Sequence, residues 1–166
     1  MSILDELNVE QRKAAEKIEG PVLILAGAGS GKTRTVTYRI AHMIKEMGIS
    51  PLNILALTFT NKAAKEMKER AEQLVGSDSH NLAISTFHSF AVRLLKTYAD
   101  RIGYGRNFNI YDVDDQKSLI GKIIKELNIN SDEISPSKVA NRISKLKEDG
   151  IGVKELEKVY DFVVED

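Results

Sequence analysis

A short apolar run, Val22-Leu23-Ile24-Leu25, leads straight into Ala26-Gly27-Ala28-Gly29-Ser30-Gly31-Lys32-Thr33, and helical spacing begins at once behind it. No other feature of the chain restricts the fold as much. An apolar strand that ends in glycines and turns directly into a helix calls for a layered α/β architecture, with the loop at the strand's C-terminal end. Glycines let successive backbone N–H groups turn inward around an anion, and the start of the helix adds its partial positive charge. In that geometry Lys32 reaches the β and γ phosphates of a nucleoside triphosphate. The Thr33 hydroxyl, one residue on, suits Mg²⁺, whose charge offsets that of the phosphates. The phosphate-loop pattern G-x-x-x-x-G-K-[ST] has glycine where this chain has Ala26, and alanine is small enough to pass. The run therefore predicts binding of ATP or a close relative through Ala28, Gly29, Ser30, Gly31, Lys32 and Thr33.

The rest of the first hundred residues repeats the alternation. Asn8 with Gln11 three residues later reads as a capping box opening a helix that stops by Gly20-Pro21. Val36, Ile40, Met43, Ile44 and Met47 share one helical face after the loop. Ile54 to Phe59 is a second buried-strand run, followed by Ala63, Ala64, Met67, Ala71, Leu74 and Val75 at helical spacing up to Gly76. Leu82 to Thr86 makes a third strand, with Phe87, Phe90, Ala91, Leu94, Leu95 and Tyr98 on the helix behind it. The order β-α-β-α-β-α predicts a parallel sheet with right-handed crossovers and flanking helices, with ligands at the C-terminal ends of the strands.

Beyond Arg106 only helical patterns remain. Leu119, Ile120, Ile123, Ile124 and Leu127 mark one amphipathic helix, and Ser135-Pro136 opens another that runs to Gly150. A last helical stretch, roughly Lys154 to Val164, runs into the C-terminus with no sign of a finished fold. Charge changes at the same place. Met1 to Arg106 carries 15 Lys/Arg against 11 Asp/Glu, whereas Asn107 to Asp166 carries 9 against 13. A boundary near Arg106 is expected, with a mildly basic first part that permits nucleic-acid contact. The absence of cysteine excludes disulfides and thiolate metal sites, and His42, His80 and His88 form no ligand cluster. No N-terminal leader and no membrane-spanning run is legible, so a cytoplasmic location with no membrane partner is expected.

The other two strand ends carry chemistry of their own. The second ends in Thr58-Phe59-Thr60-Asn61-Lys62-Ala63-Ala64 and the third in Ser85-Thr86-Phe87-His88-Ser89-Phe90. Hydroxyls and helix starts can hold phosphates, and an aromatic face can support a base. Equally, Thr60 or Asn61 can cap the next helix, and Phe87 and Phe90 can belong to its apolar face. Residue chemistry alone leaves both readings open.

Four motifs taken together resemble one family. Leu7-Asn8 with Gln11, then Ala26 to Arg34, then Thr58 to Ala64, then Ser85 to Phe90 stand in the order and spacing of the UvrD/Rep/PcrA group of superfamily 1 DNA helicases. The acidic helical part from Asn107 resembles the start of that family's inserted accessory subdomain and is the less specific match. The resemblance implies a phosphate-loop NTPase (RecA-like) sheet, with residues 1–106 as the N-terminal part of a motor domain and 107–166 as the incomplete beginning of a helical subdomain. It implies that Gln11 reads the adenine edge, unless it serves only as a capping partner. It places Arg34 near the nucleotide, where the alternative is a solvated first-turn residue. Thr58, Phe59, Asn61, Thr86, Phe87 and His88 would line a single-stranded DNA track. The implied activity is ATP-driven translocation along single-stranded DNA, typically 3′ to 5′, with roles in repair and replication.

Hydrolysis also needs an acid for Mg²⁺, a carboxylate for the attacking water and an arginine for the γ phosphate. Ile110-Tyr111-Asp112 and Val163-Val164-Glu165-Asp166 are poor candidates, since neither places an Asp-Glu pair after a long apolar run. In the family these groups and the second motor domain come later. The chain is accordingly expected to be an N-terminal fragment that hydrolyses ATP negligibly alone. A small phosphotransferase is the chief competing reading, weakened because Arg142 is the sole arginine after Arg106. A nucleotide-responsive adaptor that never hydrolyses is the other.

Overall fold

Side-chain oxygens decide where most of the helices begin. The computed structural model describes residues 2–105, 107–129 and 134–157. Helix α1 (Val9–Glu16) starts at Asn8, whose side chain accepts from the Gln11 amide at 2.9 Å while the Gln11 side chain accepts from the Asn8 amide at 3.3 Å. Helix α2 (Lys32–Lys45) has no such cap and begins at Gly31, which adopts φ 86°. Strand β1 (Leu55–Thr58) ends two residues before Thr60, the cap of α3 (Asn61–Val75). Strand β2 (Ala83–Thr86) ends on the residue that caps α4 (Phe87–Tyr98). Asp112 caps α5 (Val113–Glu126) and Ser135 caps α6 (Pro136–Glu148), the latter with Pro136 in the first turn.

The two strands pair in parallel, Leu55 opposite Ala83 through Thr58 opposite Thr86, with α3 as the crossover between them. A parallel pair cannot be closed by a hairpin, and a crossover helix is its usual connection. The result is a mixed α/β chain with a small parallel sheet.

The expected strand at Val22–Leu25 is not formed. That segment pairs with neither β1 nor β2, and Leu23 and Leu25 are 82% and 86% exposed. A strand exists only as one side of a ladder, and no third strand lies along this run among the described residues. The apolar pattern that marks a strand buried on both faces is present, while the neighbours that would bury it are not.

The chain separates into two units, Met1–Arg106 and Asn107–Asp166. In the first, Ile40, Ala41 and Ile44 of α2 and Met67, Ala71 and Val75 of α3 meet Ala56 of β1 with Ile54 and Leu82. These positions recur every three or four residues along each helix, so the stripes of α2 and α3 pack on each other and α3 also packs on the sheet. A second cluster forms where the N-terminal turn, Ile3–Glu6, lies against α1 and α2: Leu4, Leu7, Ala15 and Tyr38 pack together there. In the second unit α5 packs on α6, with Ile124 buried, and residues 153–157 are again helical. The remainder of the stretch expected to run to Val164, with the Val163–Asp166 acids, lies outside the described residues. Ile110–Asp112 is not a strand, and the Asp112 carboxylate is engaged by the amides of Asp114 and Asp115. Among the described residues no helix is long and apolar enough to cross a membrane.

Polar bonds as well as apolar packing tie the N-terminal turn down. The Ile3 amide donates to Glu46 Oε1 at 2.7 Å, the Ser2 hydroxyl to Oε2 at 3.0 Å, and His42 Nδ1 stands 2.7 Å from Oε2. The Ile3 amide, aided by His42 and Ser2, holds the Glu46 carboxyl below the usual carboxylate range. A depressed folded-state value means that the stability it contributes is complete above the unfolded value and fades as pH falls through the folded one. Melting temperatures of the wild type and Glu46→Gln, compared from about pH 6 to pH 3, are expected to differ most at the upper end and converge at the lower. Parallel curves would refute the assignment.

Candidate nucleotide loop and strand-end surface

The loop from Ala26 to Gly31 is held by its own bonds. The Ser30 hydroxyl donates to the Gly27 carbonyl at 2.8 Å, and the Ser30 amide reaches the same oxygen at 3.4 Å. Lys32 folds back so that Nζ donates to the carbonyls of Ala26 at 2.9 Å and Gly27 at 2.7 Å. Gly29 and Gly31 both adopt left-handed backbone, φ 75° and 86°. These conformations curl the loop, and they favour glycine.

The start of α2 sets it apart. α1, α3, α4, α5 and α6 each have a side-chain oxygen accepting from a first-turn amide, and α2 has none. First-turn amides without an internal acceptor, at the positive end of a helix dipole, are a fitting place for an external anion. Ala28, Gly29 and Ser30 are exposed, and Thr33 is half-buried in the first turn. The donor set is thus one of backbone N–H groups, an ammonium and a hydroxyl, which is suited to phosphate and to an oxygen-seeking divalent cation.

Gln11 serves the capping box and also touches the loop. Its Oε1 accepts from the Asn8 amide, while Nε2 donates to the Ser30 carbonyl at 3.0 Å. A Cβ on Gly31 would stand 2.6 Å from that same Nε2. Gly31→Ala is therefore expected to strain the backbone by about 1–2 kcal/mol and to push the Gln11 amide off Ser30. Thermal unfolding checks the first effect, and weakened ATP binding by calorimetry checks the second. An unchanged melting temperature would show that the loop relaxes freely.

Arg34 is not a free first-turn residue. Its guanidinium donates to the Glu6 carbonyl at 3.0 Å, lies 3.6 Å from the Glu6 carboxylate, and stands 5.2 Å from the centre of the Tyr38 ring. The Tyr38 hydroxyl in turn donates to the Glu6 carboxylate. That bond, with burial of the ring, raises the tyrosine above its ordinary value and keeps it a neutral donor. Sequence reasoning missed this cluster, and also Arg39, whose guanidinium caps the end of α1 by donating to the Ala14 carbonyl at 2.7 Å. The only available signal was arginine spacing on α2.

At the strand ends the outcome is divided. Because Thr58 and Thr86 are directly opposed, both strands stop at one level. Both threonines are buried and locally engaged: Thr58 donates to the Thr60 carbonyl at 3.1 Å, and Thr86 accepts from the Ser89 amide at 3.1 Å. Thr60, not Asn61, caps α3, and Asn61 is an exposed first helical residue. Next to them Phe59 is 89% exposed and Phe87 50% exposed, with ring centres 5.5 Å apart and planes at 40°. His88 is exposed beside them. Two large apolar rings turned to solvent at one sheet edge leave apolar faces available for a planar partner.

These features define a mixed α/β protein with a glycine loop at the start of α2 and exposed aromatics at the ends of a small parallel sheet. The chain belongs to the UvrD/REP helicase family, matching the model of the UvrD/REP helicase N-terminal domain over residues 7–164. It is 52% identical over 146 residues to the ATP-dependent DNA helicase PcrA of Staphylococcus aureus, and 53% identical over 146 residues to that of Staphylococcus epidermidis. Each comparison covers 88% of this chain and 20% of the relative, so the chain spans about one fifth of the length of these curated relatives.

Proposed function

We propose that this chain is the part of an ATP-dependent DNA helicase that cradles the triphosphate of ATP and supplies half of a single-stranded DNA track. The uncapped start of α2, with Lys32 folded over the loop that leads into it, carries the reading. The amides from Ala28 to Thr33 would surround the phosphates. Lys32 would exchange its two carbonyl partners for phosphate oxygens, gaining stronger charge-assisted bonds. Thr33 offers its hydroxyl to Mg²⁺, which when bound neutralises charge on the β and γ phosphates. Gln11 and Arg34 would flank the nucleotide on the side of the N-terminal turn.

Phe59 and Phe87 would take bases on their faces. Asn61, His88 and the starts of α3 and α4 would meet the backbone, with Thr58 and Thr86 shaping the two turns. In the whole protein, closure around ATP would step a strand past these contacts, in the 3′ to 5′ sense and in the service of repair or replication. The Mg²⁺-binding acid, the glutamate for water and the arginine finger would come from the remainder of the protein, including its second motor domain. Phosphate release measured with and without single-stranded DNA tests this. The full-length protein is expected to respond strongly to DNA and residues 1–166 alone to show negligible hydrolysis. Robust DNA-stimulated turnover by residues 1–166 would overturn the division of labour.

A further inference from the structure

Lys32 and Arg34 are two residues apart on α2, so about 200° separates their directions around the helix axis. Lys32 reaches toward the carbonyls of Ala26 and Gly27. Arg34 reaches the opposite way, onto Glu6 of the N-terminal turn. Gln11 also belongs to that N-terminal segment and touches the loop at Ser30. The loop therefore has a lysine side, where the triphosphate charge would be met, and an N-terminal side, where the rest of a nucleotide would lie.

On that second side three residues close on one another. The Glu6 carbonyl and carboxylate face the Arg34 guanidinium at 3.0 and 3.6 Å, the Tyr38 ring lies 5.2 Å from it, and the Tyr38 hydroxyl donates to the Glu6 carboxylate. Tyr38 is buried within the cluster of Leu4, Leu7 and Ala15, so its hydroxyl gives Glu6 a fixed anchor. Arg34 and Glu6 are both exposed on the surface, at 47% and 64% of their side chains, and ion pairs of that kind add little to stability. What the arrangement does provide is orientation. A guanidinium held on two sides has already given up much of its rotamer freedom, and the half-exposed Arg34 side chain still offers surface to a flat ligand.

We infer that Glu6 and Tyr38 are positioning residues that hold Arg34 against the nucleoside end of bound ATP, the purine and ribose as distinct from the triphosphate. The inference rests on the nucleotide reading above and goes beyond it, since it assigns work to two residues outside every motif of the loop. The clasp explains why the N-terminal turn is anchored so closely to α2: the same segment sets Gln11 through α1 and Arg34 through Glu6.

The test compares the affinities of ATP and inorganic tripolyphosphate in the full-length protein carrying Glu6→Gln, Tyr38→Phe or Arg34→Ala. Tyr38→Phe keeps the buried ring and removes only the anchoring hydroxyl, so it remains informative if Glu6→Gln does not fold. Each variant is expected to bind ATP about fivefold more weakly while tripolyphosphate affinity holds within about twofold, because only preorganisation at the nucleoside end is lost. Adding Tyr38→Phe to Arg34→Ala should then bring no further loss. Equal weakening for both ligands, no weakening for either, or a Tyr38→Phe effect that persists without Arg34 would each overturn the inference. Wild-type protein that bound neither ligand would instead sink the nucleotide reading, and this inference with it. Wild-type protein that bound both, with every variant binding both ligands as the wild type does, would sink the inference alone.

Discussion

Lys32→Ala is expected to weaken Mg–ATP binding by about 10- to 100-fold, since hydrogen bonds to a charged group are worth about 1.5–3 kcal/mol and 1.4 kcal/mol is tenfold. The loss should fall on the nucleotide and not on the fold. Lys32 is exposed, and its partners without nucleotide are two loop carbonyls, Ala26 and Gly27, in a loop that is itself exposed. Removing it should shift unfolding free energy by no more than about 0.5 kcal/mol. Titration calorimetry with ATP and a thermal melt separate the two effects. ATP affinity equal to wild type in the alanine variant would falsify the loop's assignment as a triphosphate cradle.

Removing both rings at the strand ends should have the second large effect. Stacking of one base on an aromatic face is worth about 1–3 kcal/mol, so Phe59→Ala and Phe87→Ala should each weaken an oligothymidylate by about 5- to 100-fold. Their effects should not add, because the rings touch at 5.5 Å and loss of one changes the support of the other. The salt dependence gives an independent reading. No cation is removed, so the slope of log affinity against log salt should stay as in the wild type while affinity falls. Measured by fluorescence anisotropy, a changed slope or an unchanged affinity would count against a base-stacking role. Phe59 is almost wholly exposed, so its loss should leave folding stability nearly unchanged.

Much of the local structure was legible in the residues because local rules govern it. The Asn8–Gln11 box, Ser135-Pro136 and the stripes of Ile40, Ile44, Met67, Ala71 and Val75 are set by capping chemistry and helical spacing, and each acts within a few residues of itself. The glycines of the loop were legible for the same reason: left-handed backbone at Gly29 and Gly31 is a property of single residues. Family membership was legible in the order of four motifs, and the match over residues 7–164 agrees with it.

What the sequence by itself could not decide was everything that depends on a distant partner. The run Val22–Leu25 has a strand's composition, yet strand is a relation between two segments, and here no ladder is offered to it. That Phe59 and Phe87 come to lie side by side depended on the register that sets Thr58 against Thr86. The clasp of Glu6, Arg34 and Tyr38 joins residues about thirty apart, which no spacing rule connects. The glycine loop and its lysine were written into the chain. Packing of the N-terminal turn on α2 decided what stands beside them, because only the folded chain brings Gln11 to Ser30 and Glu6 to Arg34.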